Sequence, residues 1–83
     1  MIRYHLKELM AEKEFQEKRR ITIGEIAKES GINRMTLSKL INHPGHNTLT
    51  DNVDRLCFYF NCEISELMTH IKDANEEGDA NDD

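Results

Sequence analysis

The sequence predicts an all-α fold: a compact domain of five helices over residues 1–72, followed by an acidic tail over residues 73–83. Apolar residues recur at helical spacing along most of the chain, and no alternating pattern is long enough to predict a strand. Capping residues and glycines separate these periodic segments. A chain of 83 residues has room for one small domain only.

The charge is divided unevenly along the chain. Residues 1–72 hold ten carboxylates and eleven cations, a net charge of +1, whereas DANEEGDANDD (73–83) holds six carboxylates and no cation. With no apolar side chain larger than alanine, the tail cannot offset its ordering entropy, so we predict that it is disordered. We expect it to compete with phosphate for a basic surface or to bind a basic protein partner.

Composition excludes several classes of protein. Apolar residues make up 37% and charged residues 33% of the chain, which is typical of a globular domain. No apolar run approaches the ~20 residues of a membrane span, and MIRYHLKELM does not resemble a signal peptide. We therefore expect a cytoplasmic protein that does not enter a membrane. In that compartment Cys57 and Cys62 are predicted to be packed thiols.

The first helix is predicted from an apolar face, and this helix can extend to about Lys18. This face consists of Ile2, Leu6, Leu9 and Met10. The first few residues could instead be extended. The segment EFQEKRR (14–20) either lengthens this helix or forms a protruding basic loop.

The second helix is predicted over Ile23–Glu29. Thr22 and Glu25 have the spacing of a capping box, in which the side chain of each residue accepts a hydrogen bond from the backbone amide of the other. Gly31 fits the left-handed position that ends a helix.

The third helix is predicted from Arg34 to about Ile41, with Asn33 as its N-cap. The segment HPGHN (43–47) holds a proline and a glycine, which indicates a loop. Thr48 and Asp51 give a weaker capping signal for the next helix.

The last two helices are predicted from two further stripes, with Asn61 ending the first of them. The fourth helix has the stripe Leu49, Val53, Leu56, Cys57 and Phe60, and the fifth has Ile64, Leu67, Met68 and Ile71.

The segment TIGEIAKESGINRMTLSKLI (22–41) has the pattern of a helix-turn-helix. Two short helices joined by a glycine-containing turn pack at a steep angle, which requires a small residue in the first helix and apolar residues beneath both. The residues that meet these requirements together are Ile26, Ala27, Gly31, Ile32, Leu37 and Leu40.

The chain resembles the lambda-repressor-like helix-turn-helix domains, the Cro and phage-repressor or XRE type. The resemblance covers roughly residues 1–72 and is strongest in EIAKESGINRMTLSKL, while LTDNVDRLCFYFNCEISELM resembles the fourth and fifth helices of the family. It implies a five-helix fold, binding to double-stranded DNA and, usually, transcriptional regulation.

The resemblance implies that the third helix enters the major groove. The candidate base contacts are Arg34, Met35, Thr36, Ser38 and Lys39. Arg34 suits this role because an arginine can donate two hydrogen bonds to guanine. The amides at the start of the second helix suit a phosphate oxygen. The candidate phosphate contacts are Arg19, Arg20, Thr22, Ile23, Asn42, His43, His46 and Asn47. The family often has a glutamine where this chain has Ile23, so that contact departs from the pattern.

A single recognition helix makes few base contacts, so a homodimer reading an inverted repeat is the expected assembly. The aromatic residues left outside the helical stripes, which are candidates for such an interface, are Tyr4, Phe15, Phe58 and Tyr59. The alternative function is a protein-interaction module, such as an antitoxin or anti-repressor.

The sequence predicts no metal ion, no cofactor and no enzymatic activity. His43 with His46 and Cys57 with Cys62 do not match a zinc signature. No nucleophile, base and orienting group can be assigned to a common cleft.

Overall fold

The computed structural model describes residues 1–72, so the prediction of a disordered tail at 73–83 lies outside the described residues. The elements in chain order are β1 (Ile2–Tyr4), α1 (Leu6–Glu17), α2 (Ile23–Ser30), α3 (Arg34–Asn42), α4 (Thr50–Phe60), α5 (Ile64–Leu67) and β2 (Met68–His70). The predicted five-helix domain is confirmed within these residues. No helix among them combines the length and apolar character needed to cross a bilayer.

A short antiparallel ribbon joins the two ends of the described chain. Ile2 pairs with His70 and Tyr4 pairs with Met68. Placing Ile2 on the first helix was therefore wrong, and the extended alternative is the one formed. The fifth helix was also predicted too long, because it ends at Leu67 and the chain continues as β2. Each strand finds its partner about 65 residues away, which local periodicity cannot reveal.

The first part of the segment 14–20 lengthens α1, and residues 18–20 form the connection that follows it. The helix runs to Glu17 and ends at Lys18, which has the left-handed conformation with φ 54°. The carboxylate of Glu14 then accepts a hydrogen bond of 2.8 Å from the amide of Ile21. This contact fixes the short connection to α2, in which Ile21 is buried.

The caps of α2 and α3 are confirmed. Thr22 accepts from the amide of Glu25 at 3.1 Å, and Asn33 accepts from the amide of Met35 at 2.7 Å. The second half of the predicted capping box differs, because the carboxylate of Glu25 accepts two hydrogen bonds from Arg19 instead.

The start of α4 differs from the prediction. Leu49 occupies the N-cap position, and the hydroxyl of Thr48 accepts from the side chain of Asn52 rather than capping the helix. Leu49 lies before the helix and is 71% exposed, while Ile64 opens a single-turn helix and is 60% exposed. Neither is the core residue that its stripe predicted, because a stripe orients only residues well inside a helix. Asn61 ends α4 as predicted, with φ 52°.

Eight apolar side chains form the buried core. They are Leu6, Ile21, Ile26, Ile32, Leu37, Leu40, Leu56 and Leu67. Tyr4 and Tyr59 are half-buried against this core, so their prediction as exposed aromatics was wrong, whereas Phe15 and Phe58 are 80% and 87% exposed. Tyr59 is buried because its ring packs on that of Phe60 at 4.8 Å, with the Lys13 ammonium 4.9 Å above it.

The two thiols are free and half-buried against the core, as predicted. Both flank the end of α4, where the amide of Cys62 donates to the carbonyl of Cys57 at 3.0 Å. Burial, with a smaller contribution from the neighbouring thiol of Cys57, raises the pKa of Cys62 to about 11.

The turn between α2 and α3 is fixed by Gly31 and by a side chain from α4. Gly31 has φ 79°, and a Cβ at this position would lie 2.6 Å from Nη1 of Arg55. That nitrogen donates to the carbonyl of Ser30 at 3.0 Å, and Nε of Arg55 donates to Asp51 at 2.8 Å. A cation thus satisfies the end of α2, where the helix dipole favours positive charge.

Replacing Gly31 with alanine is expected to lower the free energy of unfolding by about 1–3 kcal/mol, because the left-handed backbone is strained and the new methyl group meets Arg55. Adding Arg55→Ala should remove the clash but not the backbone strain, so the two losses should not add. Urea unfolding of the two single variants and the double variant measures this.

Gly24→Ala is the matched control. A Cβ there meets its nearest neighbours at 3.8 Å, so this change should be neutral or stabilise the fold by up to about 1 kcal/mol. Equal losses at Gly24 and Gly31 would contradict the account of the turn.

Candidate DNA-binding surface

The third helix has one buried side and one exposed side. Leu37 and Leu40 are each only 1% exposed and attach α3 to the core. Met35 is 66% exposed, and Arg34 and Lys39 are also exposed. α3 therefore presents Arg34, Met35 and Lys39 to solvent, as the sequence predicts for base-reading residues.

The side chain of Arg34 lies across the first turn of α2. Its guanidinium carbon is 3.8 Å, and its Nε 3.9 Å, from where a Cβ on Gly24 would be. The hydroxyl of Thr22 lies 3.8 Å from the same point. The structure thus brings Arg34 and Thr22 together at the place where α2 and α3 both begin, an arrangement the sequence did not predict.

The other two candidate base contacts are less exposed. Thr36 is half-buried and lines a shallow cleft between α3 and the start of α4. The remaining residues of that cleft are His46, Asn47, Thr48, Leu49 and Asn52. Ser38 is half-buried, and its hydroxyl accepts a hydrogen bond of 3.3 Å from Asn42. Both side chains lie toward the edge of the exposed side of α3.

Leu49 is a residue of this surface that the sequence analysis placed in the core. It is exposed beside Thr36 because it precedes α4 with an extended backbone. The signal that could have shown this was the position of Leu49 immediately after the loop, where helical periodicity has not yet begun.

The start of α2 offers a backbone amide and one hydroxyl. Thr22 is exposed, and its hydroxyl already accepts from Glu25, which leaves its proton available to donate. Ile23 packs its side chain against the core. Only the main chain of Ile23 can therefore serve a phosphate oxygen.

The two neighbouring arginines of the α1–α2 connection have different environments. Arg19 donates to Glu25 at 2.8 and 2.7 Å and to Glu17 at 2.9 Å. The hydrogen bonds from Arg19 hold the pKa of Glu25 below its usual range, and those of Glu25 raise the pKa of Arg19. Arg20 is exposed and has no ion pair among residues 1–72. The charge of Arg19 is thus compensated within the domain, whereas that of Arg20 is not.

The loop after α3 begins with a tight turn. His43 closes α3, Pro44 and Gly45 occupy the corner, and the amide of His46 donates back to the carbonyl of His43 at 3.1 Å. Gly45 has φ 83°, which with proline before it indicates a type II turn. Asn42 and Asn47, on either side of the turn, are exposed.

The ribbon holds this turn in place. The amide of Gly45 donates to the carbonyl of Ile2 at 2.9 Å, and the hydroxyl of Tyr4 donates to the carbonyl of His46 at 3.2 Å. His43, His46 and their neighbours are therefore placed beside the end of α3 by β1. Sequence reasoning missed Tyr4 in this role because the contact joins residues 42 positions apart.

Among residues 1–72, no cluster of three or more His, Cys, Asp or Glu side chains has the geometry to hold a metal ion.

The packing of α2 against α3, the glycine turn and the exposed cationic side of α3 are those of a helix-turn-helix DNA-binding domain. The family model of the Cro/C1-type HTH DNA-binding domain matches residues 5–73. The chain belongs to this family, and it is a DNA-binding regulator. No curated protein and no solved structure matches the chain significantly.

The Arg19–Glu25 pair predicts a pH-dependent stability. Because the folded-state pKa of Glu25 is lowered, its contribution is present above the unfolded-state pKa near 4.5 and is lost as the pH falls through the folded value. Arg19→Ala should raise the pKa of Glu25 and flatten the dependence of the unfolding free energy on pH between about pH 3 and pH 7. Arg20→Ala is the matched control and should change neither. Carboxyl NMR titration and urea unfolding measure the two quantities, and equal effects of both substitutions would refute the pairing.

Proposed function

We propose that the chain is a sequence-specific transcriptional regulator that reads the major groove with α3, acting in the cytoplasm as a homodimer on an inverted repeat. The observation that carries this proposal is the exposed side of α3. It presents Arg34 and Lys39, and neither side chain makes an ion pair or hydrogen bond within residues 1–72. The helix RMTLSKLIN contains no carboxylate, so nothing on it repels DNA.

Each base-reading residue has a distinct chemistry. Arg34 donates bidentately to guanine O6 and N7, and Lys39 reaches guanine or a phosphate. Met35 offers an apolar contact to a thymine methyl group. Thr36 and Ser38, at the edge of the exposed side, offer hydroxyl groups to a base or to the backbone.

The phosphate contacts surround α3 and fix its register. The amide of Ile23 and the hydroxyl of Thr22 lie at the start of α2, where the helix dipole favours an anion. Arg20 adds an uncompensated charge, while Arg19 must exchange a carboxylate for a phosphate. The remaining contacts, on the far side of α3, are Asn42, His43, His46 and Asn47.

The homodimer follows from the small number of base contacts on one helix. Two copies with their α3 helices about 34–36 Å apart would occupy successive major grooves of an inverted repeat. Phe15 and Phe58 are the strongly exposed aromatic side chains among residues 1–72, and such side chains favour association.

Replacing Arg34 with alanine is expected to cost about 1–3 kcal/mol on preferred sites and to relax the base preference at one position of each half-site. Selection of bound sites from random duplexes, with the native chain and the variant, measures this. Lys28→Ala, on the exposed surface of α2, is the matched control and should leave the selected sequence unchanged. A uniform loss on all duplexes would remove Arg34 from the base contacts and leave it as a phosphate contact beside Thr22.

The same selection tests the function as a whole. If the native chain enriches no sequence but forms a stoichiometric complex with a basic protein, the regulator proposal fails and the interaction-module alternative, an antitoxin or anti-repressor, replaces it.

Sedimentation equilibrium tests the dimer. Burying one phenylalanine contributes about 2 kcal/mol, and a two-fold interface buries it twice, so Phe58→Ser should raise the dissociation constant of the dimer at least tenfold. Phe15→Ser is the comparison variant, because only the substitution of a phenylalanine at the interface should raise the dissociation constant of the dimer. A native chain that sediments as a monomer on and off DNA would overturn the dimer.

A further inference from the structure

The end of the described chain lies beside the DNA-reading surface. The amide of Ile71 donates to the carbonyl of Met1 at 2.8 Å, and the amino group of Met1 donates back to the carbonyl of Ile71 at 3.0 Å. Met1 in turn lies against Gly45, since a Cβ on that glycine would be 3.1 Å from Cγ of Met1. Met1 thus lies between Ile71 and the turn that follows α3.

A shared cleft confirms this placement. Ile71 lines it together with Leu40 and Ile41 of α3 and Pro44 of the turn. The acidic segment 73–83 begins with Asp73, two residues after Ile71. The described chain therefore ends beside the C-terminal end of α3.

The charges of the segment and of the helix are complementary. Residues 73–83 contain six carboxylates and no cation, whereas α3 contains Arg34 and Lys39 and no carboxylate. Some cations elsewhere in residues 1–72 are already paired: Arg3 with Glu8, Lys13 with Glu17, Arg19 with Glu25 and Arg55 with Asp51. The exposed cations of these residues that lie outside α3 and have no ion pair are Lys7, Lys18, Arg20 and Lys28. The dipole of α3 also favours negative charge toward its N-terminus, where Arg34 lies.

The segment is long enough to cover the helix. Eleven extended residues span at most about 36 Å, and a nine-residue helix is about 14 Å long. The acidic segment can therefore start beside Ile41 and reach past Arg34.

We propose that residues 73–83 bind the exposed side of α3 in the free protein and compete with DNA for Arg34 and Lys39. This inference rests on the proposed function, because it makes the DNA-reading side of α3 the surface that the segment occupies. Because the segment must leave this surface before any duplex can bind it, the apparent dissociation constant rises by the same factor for specific and non-specific DNA.

The first experiment needs no DNA. Amide chemical shifts of the native chain are compared with those of a full-length variant with a neutral segment, made by the substitutions D73N, E76Q, E77Q, D79N, D82N and D83N. The expected result is a set of shift differences over residues 34–47 that disappears at about 1 M salt, where the Debye length is about 3 Å. Lys39→Ala should reduce these differences, and Lys28→Ala should not.

The second experiment measures DNA affinity against salt. A linked competitor acts at a millimolar effective concentration, so neutralising the segment should tighten binding to a random-sequence duplex by about three- to tenfold at low salt, and the gain should shrink as salt rises. The fold-gain on a selected site should equal that on the random duplex at the same salt concentration, because the segment must be displaced in both cases.

Three outcomes would overturn the inference. Shift differences confined to residues near position 73, or centred on Arg3 of β1 and Lys7 of α1, would show that α3 is not the surface covered. An affinity gain without shift differences at 34–47 would show repulsion at a distance rather than binding. If no variant binds DNA while the shift differences are present, the proposed function fails and the intramolecular contact stands, so the two failures are distinguishable.

Discussion

The direction of α3 depends on one tight turn. Gly31 is held at positive φ while its neighbours Ile26 and Ile32 are buried, so the chain has one way to leave α2 and enter α3. Arg55 closes the turn from α4 by binding the last carbonyl of α2. Because Leu37 and Leu40 then enter the core, the opposite side of α3 must face solvent. The surface proposed to read DNA exists only as long as this turn keeps its conformation.

The charges of the domain are arranged so that α3 stands out. Several carboxylates on α1, α2 and α4 form ion pairs with cations of the domain, as Glu25 does with Arg19. Each such pair lowers the charge displayed at that place, so the net charge of +1 for residues 1–72 does not reveal that α3 carries two cations and no carboxylate. Non-specific affinity for DNA grows with the number of phosphates neutralised, and a domain with few uncompensated cations depends more on base contacts for its binding.

The ribbon gives the ends of the domain a role in the recognition surface. β1 binds the turn after α3 through Gly45 and Tyr4, and β2 brings Ile71 to the same place. A loop that follows a helix is usually the more mobile part of a domain, since few buried contacts restrain it. Here two hydrogen bonds to backbone carbonyls restrain it.

The sequence by itself determined the elements whose signals are local. Thr22, Gly31 and Asn33 bound α2 and α3 through contacts within a few residues, and the spacing of Ile26, Leu37 and Leu40 gives their buried sides. For the same reason the exposure of Arg34, Met35 and Lys39 could be predicted. The patterns failed at Leu49 and Ile64, which lie at the ends of elements. One helical turn or less is too short for the spacing of apolar residues to predict which side is buried.

Only the tertiary structure decided the contacts between distant residues. The β1–β2 pairing and the hydrogen bond from Tyr4 to His46 join separate elements that lie far apart in the sequence. Their formation depends on where the core places each element, and no window along the chain contains both partners. Helix caps and apolar stripes are short-range properties of the chain, whereas the arrangement of charge and loops around α3 is a property of the packed domain.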